Sequence, residues 1–138
     1  QSINIFLIND KIKLVDLPGY GYAKVSKVMR NNLGILIKDY IANQLELIQA
    51  YVLIDAKVGV KNIDIDMFDL LSNSNRKFSI IFTKIDKCSK SYLKELENSM
   101  QSLMKSYIKH FNQFFFTSTK NFEGIIDIQK DIYTLSKQ

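Results

Sequence analysis

The sequence predicts an α/β domain built on a mostly parallel sheet, and three observations predict it. From Ala50 onward, short apolar runs alternate with amphipathic stretches in the order strand, helix, strand, helix, strand, helix. That alternation implies parallel strands joined by right-handed crossovers. Ala50–Ile54 is a continuous apolar run, as expected of a strand buried on both faces, and Phe78–Phe82 and Phe114–Phe116 read as a second and a third buried strand. Two apolar-rich stretches at the start, Ser2–Asn9 and Lys11–Asp16, meet at the turn-forming pair Asn9-Asp10 and read as one antiparallel hairpin.

The helices follow from period and caps. Ser26 is placed to cap a helix whose inner face carries Met29, Leu33, Leu36, Ile37, Tyr40 and Ile41. Asp64–Leu71 reads as a short helix between the first two buried strands. Leu93, Leu96, Met100, Leu103, Tyr107 and Phe111 recur at helical spacing and predict one long amphipathic helix. Gly124 opens the last helix, with Ile125, Ile128, Ile132 and Leu135 facing inward.

Composition bounds the class. The chain has 138 residues, 46% of them hydrophobic, which suits a single domain over residues 1–138 with a core of ordinary size. No apolar run approaches the roughly 18 residues of a membrane span, and no signal-peptide pattern is present. Cys88 is the only cysteine, so no internal disulfide forms, which suits a reducing cytosol. The net charge of +5 favours contact with polyanions, RNA in particular. A chain rich in Ile, Asn and Lys also follows from an AT-rich genome, and Arg30 and Arg76 are its only arginines.

In open α/β sheets, ligands sit at the carboxyl ends of strands. The residues to read are therefore Asp16–Gly19, Asp55, Thr83–Asp86 and Thr117–Lys120. Asp16-Leu17-Pro18-Gly19 puts a carboxylate at a strand end, where it can hold Mg²⁺ through water. Gly19 can turn its N–H toward a terminal phosphate with no side chain in the way. Pro18 is the only proline, and Gly19 and Gly21 follow it closely in a loop that then runs to Val25. Thr83-Lys84-Ile85-Asp86 is sharper. The Asp86 carboxylate can accept two hydrogen bonds from the N1–H and exocyclic amine of guanine, a donor pair adenine lacks, and the Lys84 stem can lie along the base. Thr117-Ser118-Thr119 ends the next strand, where backbone N–H groups near Ser118 can meet the guanine O6. Each motif alone fits an ordinary turn. Their order, each at the end of a predicted strand, is the layout of a P-loop GTPase.

The resemblance narrows further. LVDLPGYGYAKVSK, over residues 14–27, resembles the switch II segment of the EngB-type GTP-binding proteins. LIDAKVGVKNIDIDMFDLL and FTKIDKCSK also match that family, so the similarity extends over essentially the whole chain. It implies a Ras-like, three-layer P-loop GTPase fold, mostly parallel with one antiparallel hairpin strand. It implies GTP/GDP and Mg²⁺ as ligands. Asp16, Leu17, Pro18, Gly19, Thr83, Lys84, Asp86, Thr117, Ser118 and Thr119 would contact nucleotide, and Asp16 would hold the metal. A role in large-subunit ribosome assembly follows, with ribosomal RNA or proteins as partners, and through it normal growth, division and septation. The expected location is the bacterial cytoplasm or an organellar matrix. Tyr20 stands where Ras-like proteins carry a water-orienting Gln, which implies slow intrinsic hydrolysis and assigns no catalytic residue here.

No G-x-x-x-x-G-K-[ST] occurs in the sequence. In the family, that P-loop, the strand before it and the helix after it precede the point corresponding to Gln1. The expectation is thus an N-terminally incomplete domain that lacks the first strand, P-loop and first helix. P-loop contacts to phosphate are charge-assisted and contribute about 1.5–3 kcal/mol each. The chain by itself is accordingly expected to bind GTP poorly and to be inactive as a GTPase. The competing reading is a non-enzymatic RNA- or protein-interaction module derived from a GTPase.

Overall fold

The computed structural model describes residues 3–20 and 26–138. These fall into two compact units, divided between Glu46 and Leu47.

The first unit holds a hairpin and a helix. Strand β1, Asn4–Ile8, pairs antiparallel with β2, Ile12–Asp16, in the register Asn4 to Asp16 and Ile8 to Ile12. Asn9 and Asp10 both take positive φ, 51° and 56°, and Lys11 N–H donates to the Ile8 carbonyl at 3.1 Å. Two successive left-handed residues give the turn whose twist suits flanking strands, and Asn and Asp tolerate that region best among residues with a side chain. Helix α1, Lys27–Asn43, starts at Ser26, whose Oγ accepts from Met29 N–H at 3.2 Å. Its buried residues are Leu33, Ile37 and Ile41; Met29, expected on that face, is 47% exposed. Gly21 and Val25, with the rest of residues 21–25, and Ser2 at the expected start of the hairpin lie outside the described residues.

The second unit is a parallel α/β layer. Its elements are β3 (Ala50–Asp55), α2 (Asn62–Asn73), β4 (Phe78–Thr83), α3 (Lys90–Met104), β5 (Phe111–Phe116) and α4 (Ile125–Leu135). The sheet order is β3-β4-β5, parallel throughout, with Ala50 beside Phe78, Asp55 beside Thr83, and Phe82 beside Phe116. Central β4 is buried from Phe78 to Phe82. Phe78 stacks on Phe68 of α2 at 5.5 Å between centroids, and Tyr107 packs edge-on against both. Phe82 stacks on Phe116 at 5.2 Å. These rings form the core that fixes the strand ends.

Three expectations need correction. The first buried strand does not bury both faces, because Leu53 in β3 is 61% exposed. The short helix is longer than expected and runs from Asn62 to Asn73, since Lys61 N–H donates to Asp64 Oδ2 at 2.8 Å and closes its first turn. Phe111 does not continue the long helix. That helix ends in a 3₁₀ turn at Lys105–Tyr107, and Phe111 opens β5, where it packs on Phe78 and Phe114. A 3₁₀ turn tightens the last turn of a helix, so an apolar residue at the old period lands on a new element.

Candidate functional site

Three strands of the second unit end side by side at Asp55, Thr83 and Phe116, and the loops beyond them carry the polar residues. Backbone bonds tie the ends together. Ala56 N–H donates to the Thr83 carbonyl at 2.9 Å, Ile85 N–H to the Thr117 carbonyl at 3.1 Å, and Thr117 N–H to the Phe82 carbonyl at 2.8 Å. The loops therefore start from fixed points.

After β4 the chain turns sharply at Lys84, which sits in the left-handed region at φ 60° and ψ 35°. A residue with a side chain in that region costs about 1–2 kcal/mol, so the surrounding bonds must hold it there. The turn sends Ile85 into the core, 6% exposed, and Asp86 outward on a short 3₁₀ turn, Ile85–Lys87. Ser89 then caps α3 by accepting from Tyr92 N–H at 3.1 Å.

The side chains converge in two pairs. Ser118, fully buried, donates its hydroxyl to Asp86 Oδ1 at 2.8 Å. The same oxygen of Ser118 accepts from Lys120 N–H at 3.2 Å and Asn121 N–H at 3.4 Å. Asp86 is exposed, and each carboxylate oxygen has two lone pairs. Its acceptor capacity is thus aimed at solvent with one oxygen already oriented. In the second pair, Lys84 Nζ lies 3.2 Å from Asp55 Oδ2. Asp55 Oδ1 accepts from Lys57 N–H at 2.9 Å and Val58 N–H at 3.4 Å. Burial pushes the Asp55 carboxyl upward, but the Lys84 ammonium and the two amides outweigh it and hold the group below its ordinary range. The Asp55 loop is braced from α3, where Tyr92 OH donates to the Ala56 carbonyl at 2.7 Å.

The other expected residues divide by what their polar groups touch. Thr117 is buried and donates Oγ1–H to the Phe82 carbonyl at 3.0 Å, so its groups are committed within the fold. Ser118 N–H donates to the Glu123 carbonyl at 3.0 Å and is not free to meet a ligand oxygen. Thr83 is half-buried at its strand end, and Thr119 is exposed. Asp16 closes β2 in the first unit and is exposed; Leu17 and Pro18 are half-buried and Gly19 is exposed. Among the described residues there is no cluster of three or more His, Cys, Asp or Glu side chains able to hold a metal. A single carboxylate such as Asp16 suits Mg²⁺ that keeps its water and takes its other ligands from phosphates.

Sequence reasoning missed the Ser118 hydroxyl as the group that orients Asp86, and Asp55 as the counter-ion of Lys84. Both were visible as polar residues at strand ends, but nothing local in sequence pairs them. Cys88 follows the site on the same loop. Burial and the nearby Asp55 and Asp86 carboxylates push its thiol up, against a smaller opposing effect of Lys57.

Comparison with known proteins gives a consistent result. The chain is 36% identical over 137 residues to the probable GTP-binding protein EngB of Bacteroides thetaiotaomicron, covering 99% of this chain and 67% of that protein. It is 35% identical to the probable EngB of Thermotoga maritima, covering 100% of this chain and 70% of that one. A shorter stretch of 90 residues is 49% identical to the probable EngB of Flavobacterium johnsoniae, covering 65% of this chain and 43% of that protein. The chain spans about two thirds of the length of the first two. No protein-family model matches it. In fold, it is similar to the crystal structure of a probable GTP-binding protein EngB, with a TM-score of 0.82 at 19% identity over 99% of this chain and 84% of that one. It is also similar to translation elongation factor SelB of Methanococcus maripaludis in complex with the GTP analogue GppNHp, with a TM-score of 0.70 at 23% identity, covering 99% of this chain and 28% of that one. The α/β fold with its parallel three-stranded sheet and antiparallel hairpin is therefore one found in P-loop GTPases.

Proposed function

The chain belongs to the EngB family of GTP-binding proteins, and on that premise we propose that residues 1–138 work as one guanine-nucleotide-binding domain of a GTP/GDP switch. The observation that carries the reading is the Asp86–Ser118 pair. It presents an exposed carboxylate, oriented by a buried hydroxyl, at the carboxyl end of the central strand. It offers the two acceptors that the paired donors of a guanine edge match, a donor pair that adenine lacks.

In this reading Asp86 accepts from the base N1–H and exocyclic amine. Ser118 holds the carboxylate in place. Lys84 lays its stem along the base while Asp55 anchors its ammonium. Thr83 and Thr117 fix the two strand ends, and Thr119 lines the mouth of the pocket. In the other unit, Asp16 binds Mg²⁺ through water, Leu17 and Pro18 shape the loop, and Gly19 offers its N–H to the terminal phosphate. Bound Mg²⁺ neutralises phosphate charge. The biological setting proposed is assembly of the large ribosomal subunit, and through it normal growth and division. The ribosomal particle is the partner and the cytoplasm or an organellar matrix the location. The net charge of +5 supports a polyanionic partner.

The test is nucleotide titration of the chain with a G-x-x-x-x-G-K-[ST] segment joined upstream of Gln1. GDP and GTP should bind and ATP should not. Equal binding of ATP and GTP would remove the base pocket from the Asp86 loop. RNA binding that is salt-dependent and indifferent to every nucleotide would favour the interaction module instead.

A further inference from the structure

The end of the three-stranded sheet opposite the candidate nucleotide site has a built surface rich in lysine. Three segments meet there. Ala50 N–H donates to the Lys77 carbonyl at 2.9 Å, and Phe78 N–H to the His110 carbonyl at 2.8 Å. Lys77 Nζ donates to the Lys109 carbonyl. Asn112 Nδ2 donates to Gln49 Oε1 at 2.6 Å. His110 Nε2 lies 2.9 Å from Asn75 Oδ1, and its Nδ1 lies 3.0 Å from Ser72 Oγ. The segments 72–77 and 105–112 are thus held against each other.

Their sequences are SNSNRK and KSYIKHFN, with four cationic residues and no carboxylate. Lys77, Lys105 and Lys109 are exposed. None of the three forms an ion pair among the described residues. Two carboxylates lie near: Asp69 accepts from the Tyr107 hydroxyl at 2.6 Å, and Asp131 accepts from the Tyr51 hydroxyl at 2.5 Å and from Gln113 Nε2 at 3.1 Å. Like charges gathered on one edge repel, so folding alone does not call for them. Held by its own bond to the Lys109 carbonyl, Lys77 cannot disperse away from Lys109.

We infer that this edge, through Lys77, Lys105 and Lys109, is a contact surface for the phosphate backbone of RNA. The inference rests on the proposed ribosomal partner and assigns the face that meets it. The exposed cations are lysines, point charges that bind single phosphates and release counterions when they do. A membrane surface needs a broad apolar footing, and the large apolar side chain exposed within these segments is Ile108. The β4 strand separates this face from Asp86 by about 20 Å at ~3.3 Å per residue. RNA and nucleotide can therefore be held at once.

The experiment measures binding of the full chain to fluorescently labelled large-subunit ribosomal RNA across a salt series. The variants are Lys105→Gln/Lys109→Gln and, as a control with the same charge change, Lys94→Gln/Lys130→Gln. Binding to anionic vesicles and to polyglutamate is measured alongside. The edge variant should lose about tenfold in RNA affinity and flatten the salt slope by about two, while the control holds near wild type. Equal losses in the two variants would overturn the assignment of this face and leave the ribosomal reading standing. If wild type does not bind RNA, the inference is overturned, and the ribosomal reading then rests on protein contacts alone. A loss confined to vesicles or polyglutamate would replace RNA with that partner and overturn the inference.

Discussion

The Ser118 hydroxyl donates to one oxygen of an otherwise exposed carboxylate, and Ser118 itself is fully buried at the end of β5. A side chain this small was legible only as a loop residue; its partner lies 32 positions away on the neighbouring loop. Ser118→Ala should weaken GDP and GTP by about tenfold, the worth of one hydrogen bond to a charged group, with the preference over ATP reduced but kept. Titration with the three nucleotides checks this. Gly124, by contrast, announced itself as a helix start without giving its reason. It sits at φ 75°, and a Cβ there would lie 2.1 Å from the Phe116 carbonyl oxygen. Gly124→Ala should lower the unfolding free energy by about 2–4 kcal/mol, through left-handed strain plus overpacking. Denaturant titration would read it, and a loss under 0.5 kcal/mol would show that the Phe116–Ser118 turn relaxes freely.

Among the elements, β4 was the most legible because Ser79 is the one polar residue from Phe78 to Phe82, and its buried hydroxyl accepts from Gln49 Nε2 at 2.8 Å. The same signature misled at β3, where Leu53 is exposed, because an apolar run does not say which faces are covered. The end of α3 was hidden for a different reason. Phe111 keeps the helical period while belonging to β5, so periodicity alone could not mark the 3₁₀ turn. Tyr107, in that turn, ties it to α2 by donating to Asp69 Oδ1 at 2.6 Å. Burial first, then the Asp69 bond and charge, push the Tyr107 phenol up to about 12. A phenol raised in the folded state lends stability that is complete below the unfolded value of about 10 and is lost as pH rises through the folded value. Tyr107→Phe should therefore cost about 1 kcal/mol at neutral pH and flatten the fall in stability between about pH 10 and pH 12. Urea unfolding as a function of pH tests both parts; an unchanged alkaline slope would assign the loss to other groups.

At the scale of the molecule, the α/β class, the hairpin and the order of strand ends were legible, since each rests on local pattern. The placement of charge was not. A net +5 could be read from the composition, whereas the gathering of Lys77, Lys105 and Lys109 on one edge depends on which segments the sheet brings together. The central proposal is that the loops after β4 and β5 form a guanine pocket centred on Asp86. Asp86→Asn tests it most directly, in the chain carrying an upstream phosphate-binding segment. The amide keeps the shape but replaces one acceptor with a donor. Guanine then loses its paired acceptors, while xanthine, with an oxygen in place of the exocyclic amine, gains a partner. Titration should show GTP weakened by about two to four decades and XTP strengthened over wild type. Unchanged GTP binding with no gain for XTP would contradict the account, and would make Asp86 a turn residue.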